Sequence, residues 1–302
     1  MAGPRAATAT LIHYLRSYVF APRYPAGEQT WLWAADGTRL AAIVVPGPAD
    51  AEVAVVLAHG FANWSRTPAI RDFAVRLSRR FPVVVPDLRG HGHSGGRCTF
   101  SVLEPLDVAA AAGAARTAAP GLPVVTIGIS MGGAAALLYA SGWDGVAGTV
   151  AVSAPAWWAP GESPGTRRIQ KWTSTPWRRR LLAWFLRTRV DPDHGPVPMA
   201  CEGLAVAAPA FTILVHDPED QYFGPEHPLC VFEEATEPKE LWWTPGGGHG
   251  IDLLTPDLAD RLLEEIETRA VLMALRLTPH RGAGGGPNPT GQGWPIPSVR
   301  ES

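Results

Sequence analysis

Ser130 stands at the centre of Gly128-Ile129-Ser130-Met131-Gly132, directly after the apolar run 123–127. A serine hydroxyl is a weak nucleophile until a base takes its proton and a third group orients that base. A G-x-S-x-G between a buried strand and a helix, here expected over 133–139, lifts the hydroxyl clear of the sheet. It also leaves the next backbone N–H free at a helix N-terminus. Glycines on either side allow a strained backbone and leave room for a substrate. Those five residues fit an ordinary tight turn equally well. Partners elsewhere in the chain must decide.

Two partners follow downstream. Asp220 lies in His216-Asp217-Pro218-Glu219-Asp220, at the C-terminal end of a predicted strand over 211–215. His249 lies in Gly246-Gly247-Gly248-His249-Gly250, after a predicted strand over 241–243. Taken singly, Asp220 reads as a turn or cap aspartate and His249 as a loop histidine. Asp217 and Glu219 are local rivals for the acid, Asp217 being nearer the strand and the poorer reach. Taken together, in the order Ser, Asp, His, the three read as a catalytic triad. An acyl-transfer transition state also needs hydrogen-bond donors for its developing oxyanion. The backbone N–H of Phe61, in His59-Gly60-Phe61 after the strand predicted over 53–57, and that of Met131 fit this use. His59 is expected to hold the loop.

These residues need a scaffold that brings loop ends to one edge. Segments 30–34 and 40–45 flank Asp36-Gly37 and predict a β-hairpin. Short apolar, mostly β-branched runs follow at 53–57, 83–85, 124–127, 146–152, 211–215 and 241–243. Strands of that kind are covered on both faces. Helical segments are expected at 69–80, 102–117 and 133–140. The alternation predicts an α/β fold, a doubly wound, mostly parallel sheet that opens with an antiparallel hairpin.

The rhythm breaks over 157–209, rich in Pro, Arg and Trp and too long for a plain loop. Within it Thr175 reads as an N-cap and Pro176 as a first helical residue. Trp177, Leu181, Trp184, Phe185 and Leu186 then fall on one face, with Arg178, Arg179 and Arg180 on the other. The expected organisation is an N-terminal helix and lead-in over 1–29, a core over 30–156 and 210–278, an inserted helical lid over 157–209, and a disordered tail over 279–302. Trp64, Trp157, Trp158 and Tyr222 are the aromatic residues expected to touch substrate. The run 221–227 either lines the pocket or leads into the next helix.

Composition narrows the classes. A chain of 302 residues can bury a sizeable core. Its net charge of −2 gives no global basic field for nucleic acid. Cys98, Cys201 and Cys230 are far apart and odd in number, which predicts neither a disulfide framework nor a zinc site. No apolar run reaches the ~18 residues of a membrane span. The N-terminal segment reads as a packing helix, not a signal peptide, so a cytoplasmic location is expected.

His59-Gly60, the run Asp87-Leu88-Arg89-Gly90-His91-Gly92-His93-Ser94, the Ser130 motif, Asp220 and His249, in this order, resemble the α/β-hydrolase superfamily. The likeness is greatest to the serine-hydrolase branch of monoacylglycerol lipases, esterases and serine aminopeptidases, and it spans about 30–277. It departs from that pattern at His216-Asp217, where relatives often carry His-Gly. The resemblance implies a Ser130–His249–Asp220 triad, an oxyanion hole at Phe61 and Met131, and structural histidines in the 87–94 loop. The expected function is hydrolysis of a small or lipid-like carboxylic ester with an apolar acyl group, without metal or organic cofactor. Thioesterase, acyltransferase or peptidase chemistry on the same triad, or ligand binding without catalysis, are the alternatives. Membrane contact through the arginine-rich lid helix is a further partner to consider.

Overall fold

The computed structural model describes residues 23–143, 146–202, 204 and 209–277. The helix expected near the N-terminus and the tail expected over 279–302 lie outside them.

At Asp36-Gly37 the chain reverses. Gly37 takes a φ of 82°, and Asp36 Oδ1 accepts the Thr38 N–H at 3.0 Å. This turn pairs β1 (Glu28–Trp33) with β2 (Arg39–Val45) in antiparallel register. The six apolar runs become β3 (Ala54–Ala58), β4 (Val83–Pro86), β5 (Val124–Ile129), β6 (Val146–Val152), β7 (Thr212–His216) and β8 (Lys239–Trp243). They form one sheet in the order β1-β2-β4-β3-β5-β6-β7-β8, antiparallel at β1–β2 and β2–β4 and parallel elsewhere.

Helices α1 (Pro68–Leu77), α2 (Glu104–Ala118), α3 (Met131–Gly142), α4 (Pro164–Thr173), α5 (Pro176–Phe185), α6 (Glu226–Glu234) and α7 (Pro256–Leu277) complete the described chain. Side chains alternate across each strand, so each central strand feeds two cores. Val55, Leu57, Val83 and Val85 pack with Ile70 and Phe73 of α1 and Leu262 and Ile266 of α7. Val56, Ala58 and Val84 pack on the other face with Val108 of α2 and Leu137 of α3. Each of these side chains larger than alanine contributes roughly 1.5–3 kcal/mol by leaving water. No described helix is long and apolar enough to cross a membrane.

The winding decides where a site can form. The chain runs from β3 to β4 on one side and then from β4 across to β5 on the other, and this reversal opens a crevice at the C-terminal ends of the strands. Register pairs Ala58 with Gly128, Ile129 with Val152, Val152 with Val215 and His216 with Trp243. The loops after β3, β5, β6, β7 and β8 therefore emerge along one edge.

Over 157–202 the chain leaves the sheet and builds α4 and α5. Helix α4, unassigned by periodicity, is set by a capping box. Ser163 Oγ accepts the Thr166 N–H at 3.0 Å, and Thr166 Oγ1 accepts that of Ser163 at 2.9 Å. Thr175 does precede α5 in extended conformation, with Pro176 inside the helix, but its side chain makes no capping bond. The single apolar face expected for α5 also needs correction: Leu182 is its buried residue, while Trp177 and Trp184 face solvent. At the base of the segment the Ala200 N–H donates to the Ala156 carbonyl at 2.6 Å. Just beyond, Cys201 Sγ lies 2.9 Å from Cys230 Sγ on α6. Two of the three cysteines thus meet, which their separation in sequence hid.

Candidate active site

Strand β5 ends and α3 begins at Ser130, whose φ of 51° is unusual for a residue with a side chain and costs of order 1–3 kcal/mol. The surroundings hold it there. The Ser130 N–H donates to the Val152 carbonyl on β6 at 2.8 Å, and its own carbonyl accepts from Gly133 at 2.8 Å and Ala134 at 3.1 Å. No larger residue fits beside it. A Cβ on Gly128 would lie 2.3 Å from the Gly132 carbonyl oxygen, and one on Gly132 would lie 2.4 Å from that of His59.

The structure brings Ser130, His249 and Asp220 together. His249 Nε2 is 2.9 Å from Ser130 Oγ, and His249 Nδ1 is 2.6 Å from Asp220 Oδ2. A carboxylate only accepts, so the neutral ring carries its proton on Nδ1 and presents Nε2 as an acceptor toward the Ser130 hydroxyl. The Asp220 side chain is wholly buried, and its Oδ1 accepts the Tyr222 N–H at 2.7 Å. The Tyr222 ring lies along the imidazole, centroids 4.3 Å apart.

Two further residues hold the histidine loop, and neither was assigned that role by sequence. Asp217 Oδ2 accepts the Gly248 N–H at 2.7 Å, its Oδ1 that of Glu219 at 2.9 Å, and its carbonyl that of Asp220 at 3.1 Å. One carboxylate thus ties the acid loop to the base loop. Burial works to raise its pKa, but hydrogen bonds from the N–H groups of Glu219, Gly248 and Gly246 prevail and hold it below the ordinary range. Ser153 Oγ accepts the Gly250 N–H at 3.0 Å. Its position just after β6, beside the strand carrying Ser130, was the available signal.

The loop after β3 is held by two buried histidines. His59 Nε2 accepts the Leu88 N–H at 2.9 Å and its Nδ1 faces the Gly60 carbonyl at 2.8 Å. His91 Nε2 accepts the Ala62 N–H at 3.2 Å and its Nδ1 faces the Arg89 carbonyl at 2.9 Å. Each ring accepts at one nitrogen and donates at the other, the pattern of a neutral imidazole. Burial lowers both pKa values, that of His91 to about 3. Elsewhere in the 87–94 loop, Arg89 grips Asp107 of α2 and Asp36 of the hairpin. Phe61, Ser130 and Met131 line a narrow pocket together. Neither the Phe61 nor the Met131 N–H has a protein acceptor among the described residues.

Ser130 and His249 also open into a cavity of about 810 Å³. Ile169 and Trp172 of α4, and Leu181, Leu182 and Phe185 of α5, form one wall, with Tyr222 and Ile251 nearby. Tyr222 thus lines the cavity into which Ser130 opens. Trp157 and Trp158 line the narrow pocket on the other side of Ser130. Trp64 lines neither: it is buried against the rings of His93 at 5.3 Å and the guanidinium of Arg187 at 5.4 Å. The run after Asp220 serves both expected purposes, since Tyr222 faces the cavity and Glu226 begins α6.

A protein-family model described as serine aminopeptidase, S33, matches residues 49–237, a span that takes in Ser130 and Asp220 and ends before His249. Among solved structures, the chain is similar to the Pyrococcus furiosus esterase Pf2001, at 20% identity and a TM-score of 0.62 over 80% of this chain and 92% of that one. It is similar to the esterase RhEst1 from Rhodococcus sp. ECU1013, at 21% identity and a TM-score of 0.60 over 80% and 98%. The α/β hydrolase GrgF from Penicillium sp. sh18 aligns at 18% identity and a TM-score of 0.63 over 82% and 99%. At these identities the likeness is one of fold. No curated protein matches the chain in sequence.

Proposed function

The chain belongs to the serine aminopeptidase S33 family of α/β-hydrolases, and from that premise we propose that it is a serine hydrolase cleaving carboxylic esters with an apolar acyl group. The observation that carries the reading is the Asp220–His249–Ser130 chain of contacts, at 2.6 and 2.9 Å, ending in an apolar cavity.

In this mechanism Ser130 Oγ attacks the ester carbonyl while His249 Nε2 takes its proton, and buried Asp220 stabilises the imidazolium that forms. The backbone N–H groups of Phe61 and Met131 receive the oxyanion; such a donor, where a side chain supplies it, contributes ~2.7–4 kcal/mol. His249 then passes its proton to the departing alcohol, leaving an acyl-enzyme. Water activated by the same nitrogen releases the acid and regenerates Ser130. The acyl chain lies against Ile169, Leu181 and Leu182, and α4 and α5 act as a lid that keeps bulk water from the intermediate.

The test is release of p-nitrophenol from esters of graded acyl length, by the wild type and by Ser130→Ala. Turnover with a medium-chain optimum, abolished in the variant, is the expected result. A folded wild type that turns over none of these esters would sink the reading. A matched anilide and thioester series separates ester hydrolysis from peptidase and thioesterase activity.

A further inference from the structure

We infer that the outer surface of α4 and α5 docks on an anionic lipid bilayer, so that lipid-like esters enter the Ser130 cavity from the membrane. The proposal rests on the ester-hydrolase reading for what enters the cavity, though not for the docking itself.

Charge is the first observation. The two helices carry Arg167, Arg168, Lys171, Arg178, Arg179 and Arg180 and no Asp or Glu, in a chain whose net charge is −2. Among the described residues none of the six is ion-paired with a carboxylate. Arg167, Arg178 and Arg179 donate instead to the carbonyls of Gly161, Lys171 and Thr173. Those bonds orient the guanidinium groups and leave their charge uncompensated.

Aromatic exposure is the second. Trp172, Trp177 and Trp184 are 40%, 54% and 80% exposed. Trp184 stacks on Phe185, centroids 5.7 Å apart, and the Arg178 guanidinium lies 5.0 Å from the Trp177 ring. Large aromatic side chains grouped in water mark a contact surface. Cationic heads beside indoles are what a helix lying in the bilayer interface presents: the cations meet phosphates, and the indoles sit at headgroup depth.

Continuity with the cavity favours a bilayer over other polyanions. Trp172 and Phe185 belong both to the exposed surface and to the cavity wall that faces Ser130. An acyl chain leaving a bilayer passes along them into a mostly apolar cavity, whose wall also carries Arg168, one of the six cations. Single-stranded nucleic acid also pairs with basic and aromatic side chains, but its phosphates and bases have no use for the apolar chamber behind them.

Vesicle sedimentation tests the proposal. Ser130→Ala protein is mixed with vesicles of phosphatidylcholine alone or with phosphatidylglycerol added, at low salt and at ~1 M, where the Debye length falls to about 3 Å. Without the nucleophile, binding is read whether or not the catalytic reading is correct. The expected result is binding to phosphatidylglycerol vesicles at low salt that weakens at least tenfold at high salt. In the same background, a triple Arg178→Gln, Arg179→Gln, Arg180→Gln variant and a double Trp177→Ala, Trp184→Ala variant should each bind at least tenfold more weakly. None of these five residues lines the cavity. Both variants, made also with Ser130 intact, should keep wild-type turnover of a soluble short-chain ester and the wild-type melting temperature. Absence of binding to phosphatidylglycerol vesicles at low salt would overturn the proposal. So would equal binding by both variants, or self-association through the Trp177–Trp184 surface in place of vesicle binding. Tighter binding to a single-stranded oligonucleotide than to the vesicles would assign the surface to nucleic acid.

Discussion

The imidazole of His249 is held from three sides: by Asp220 at Nδ1, by the Tyr222 ring, and through its loop by Asp217 and Ser153. Catalysis by such a unit is strongly non-additive, so Ser130→Ala, His249→Gln and Asp220→Asn are each expected to lower kcat by roughly 10⁴-fold or more. Steady-state kinetics on the best p-nitrophenyl ester check this, and residual activity within tenfold of wild type would exclude that residue. Asp217 makes a subtler prediction. It touches no reacting atom, so Asp217→Ala should misplace His249 and lower kcat by about 10–100-fold with little change in KM. Its carboxyl is held below the ordinary value of 3.8, so its contribution to stability is complete above that pH and is lost as pH falls through the lower folded value. Wild-type activity after brief acid exposure should therefore survive to lower pH than that of Asp217→Ala. Matching acid profiles would mean that the clamp has no energetic weight.

At the scale of elements, the turn from β5 to α3 works because two backbones meet where no Cβ fits. Gly132→Ala would set a methyl 2.4 Å from the His59 carbonyl oxygen, and backbone on both sides cannot yield as a flexible side chain would. A loss of stability of ~2 kcal/mol or more is expected, read as a shift in the urea midpoint together with lost activity. An unchanged midpoint would contradict this packing of β3 against α3. The base of the inserted segment offers a separate check. Cys201 and Cys230 have sulfur atoms 2.9 Å apart, while Cys98 is fully buried. An oxidising disulfide reagent should therefore consume two of the three thiols and leave Cys98, counted after denaturation. In Cys230→Ser no intramolecular bond should form. Survival of all three thiols in the treated wild type would mean that α6 and the end of the segment do not meet as described.

For the whole molecule, the buried neutral histidines make folding sensitive to acid. His59 and His91 each accept a backbone N–H at Nε2. Protonation would set N–H against N–H in a site closed to water. Burial depresses both pKa values, that of His91 to about 3. Between that value and the ordinary 6.5, the unfolded chain binds more protons than the folded one, so stability falls with falling pH. The slope is about 1 kcal/mol per pH unit for each histidine kept neutral. Melting temperature should decline from pH 7 to pH 5, and less steeply in His91→Gln even if that variant starts lower. Parallel declines would show that His91 is not held neutral. Since these rings hold the Phe61 loop, activity should fall together with stability over that range.

Much of this was legible in sequence because the signals are local. Short apolar runs bounded by turn residues become strands wherever both faces are covered, and Asp36-Gly37 fixes a hairpin within four residues. A strand, G-x-S-x-G and helix in succession fix the strained turn at Ser130, because only glycine tolerates the close approach there. Chain order and strand ends were enough to single out Asp220 and His249. Sequence ranked Asp217 below Asp220 but could not show that Asp217 clamps the loop after β8, since that contact depends on which carboxylate reaches across from β7. It could not pair Cys201 with Cys230, or set Trp64 apart from Tyr222, because burial against remote residues carries no local mark. Nor did it reveal which side of α5 meets the cavity, for a helix turns its face to whatever it packs against. Periodicity and turn chemistry are properties of neighbours along the chain; contacts between loops from five strands exist only once the sheet has brought their ends to one edge.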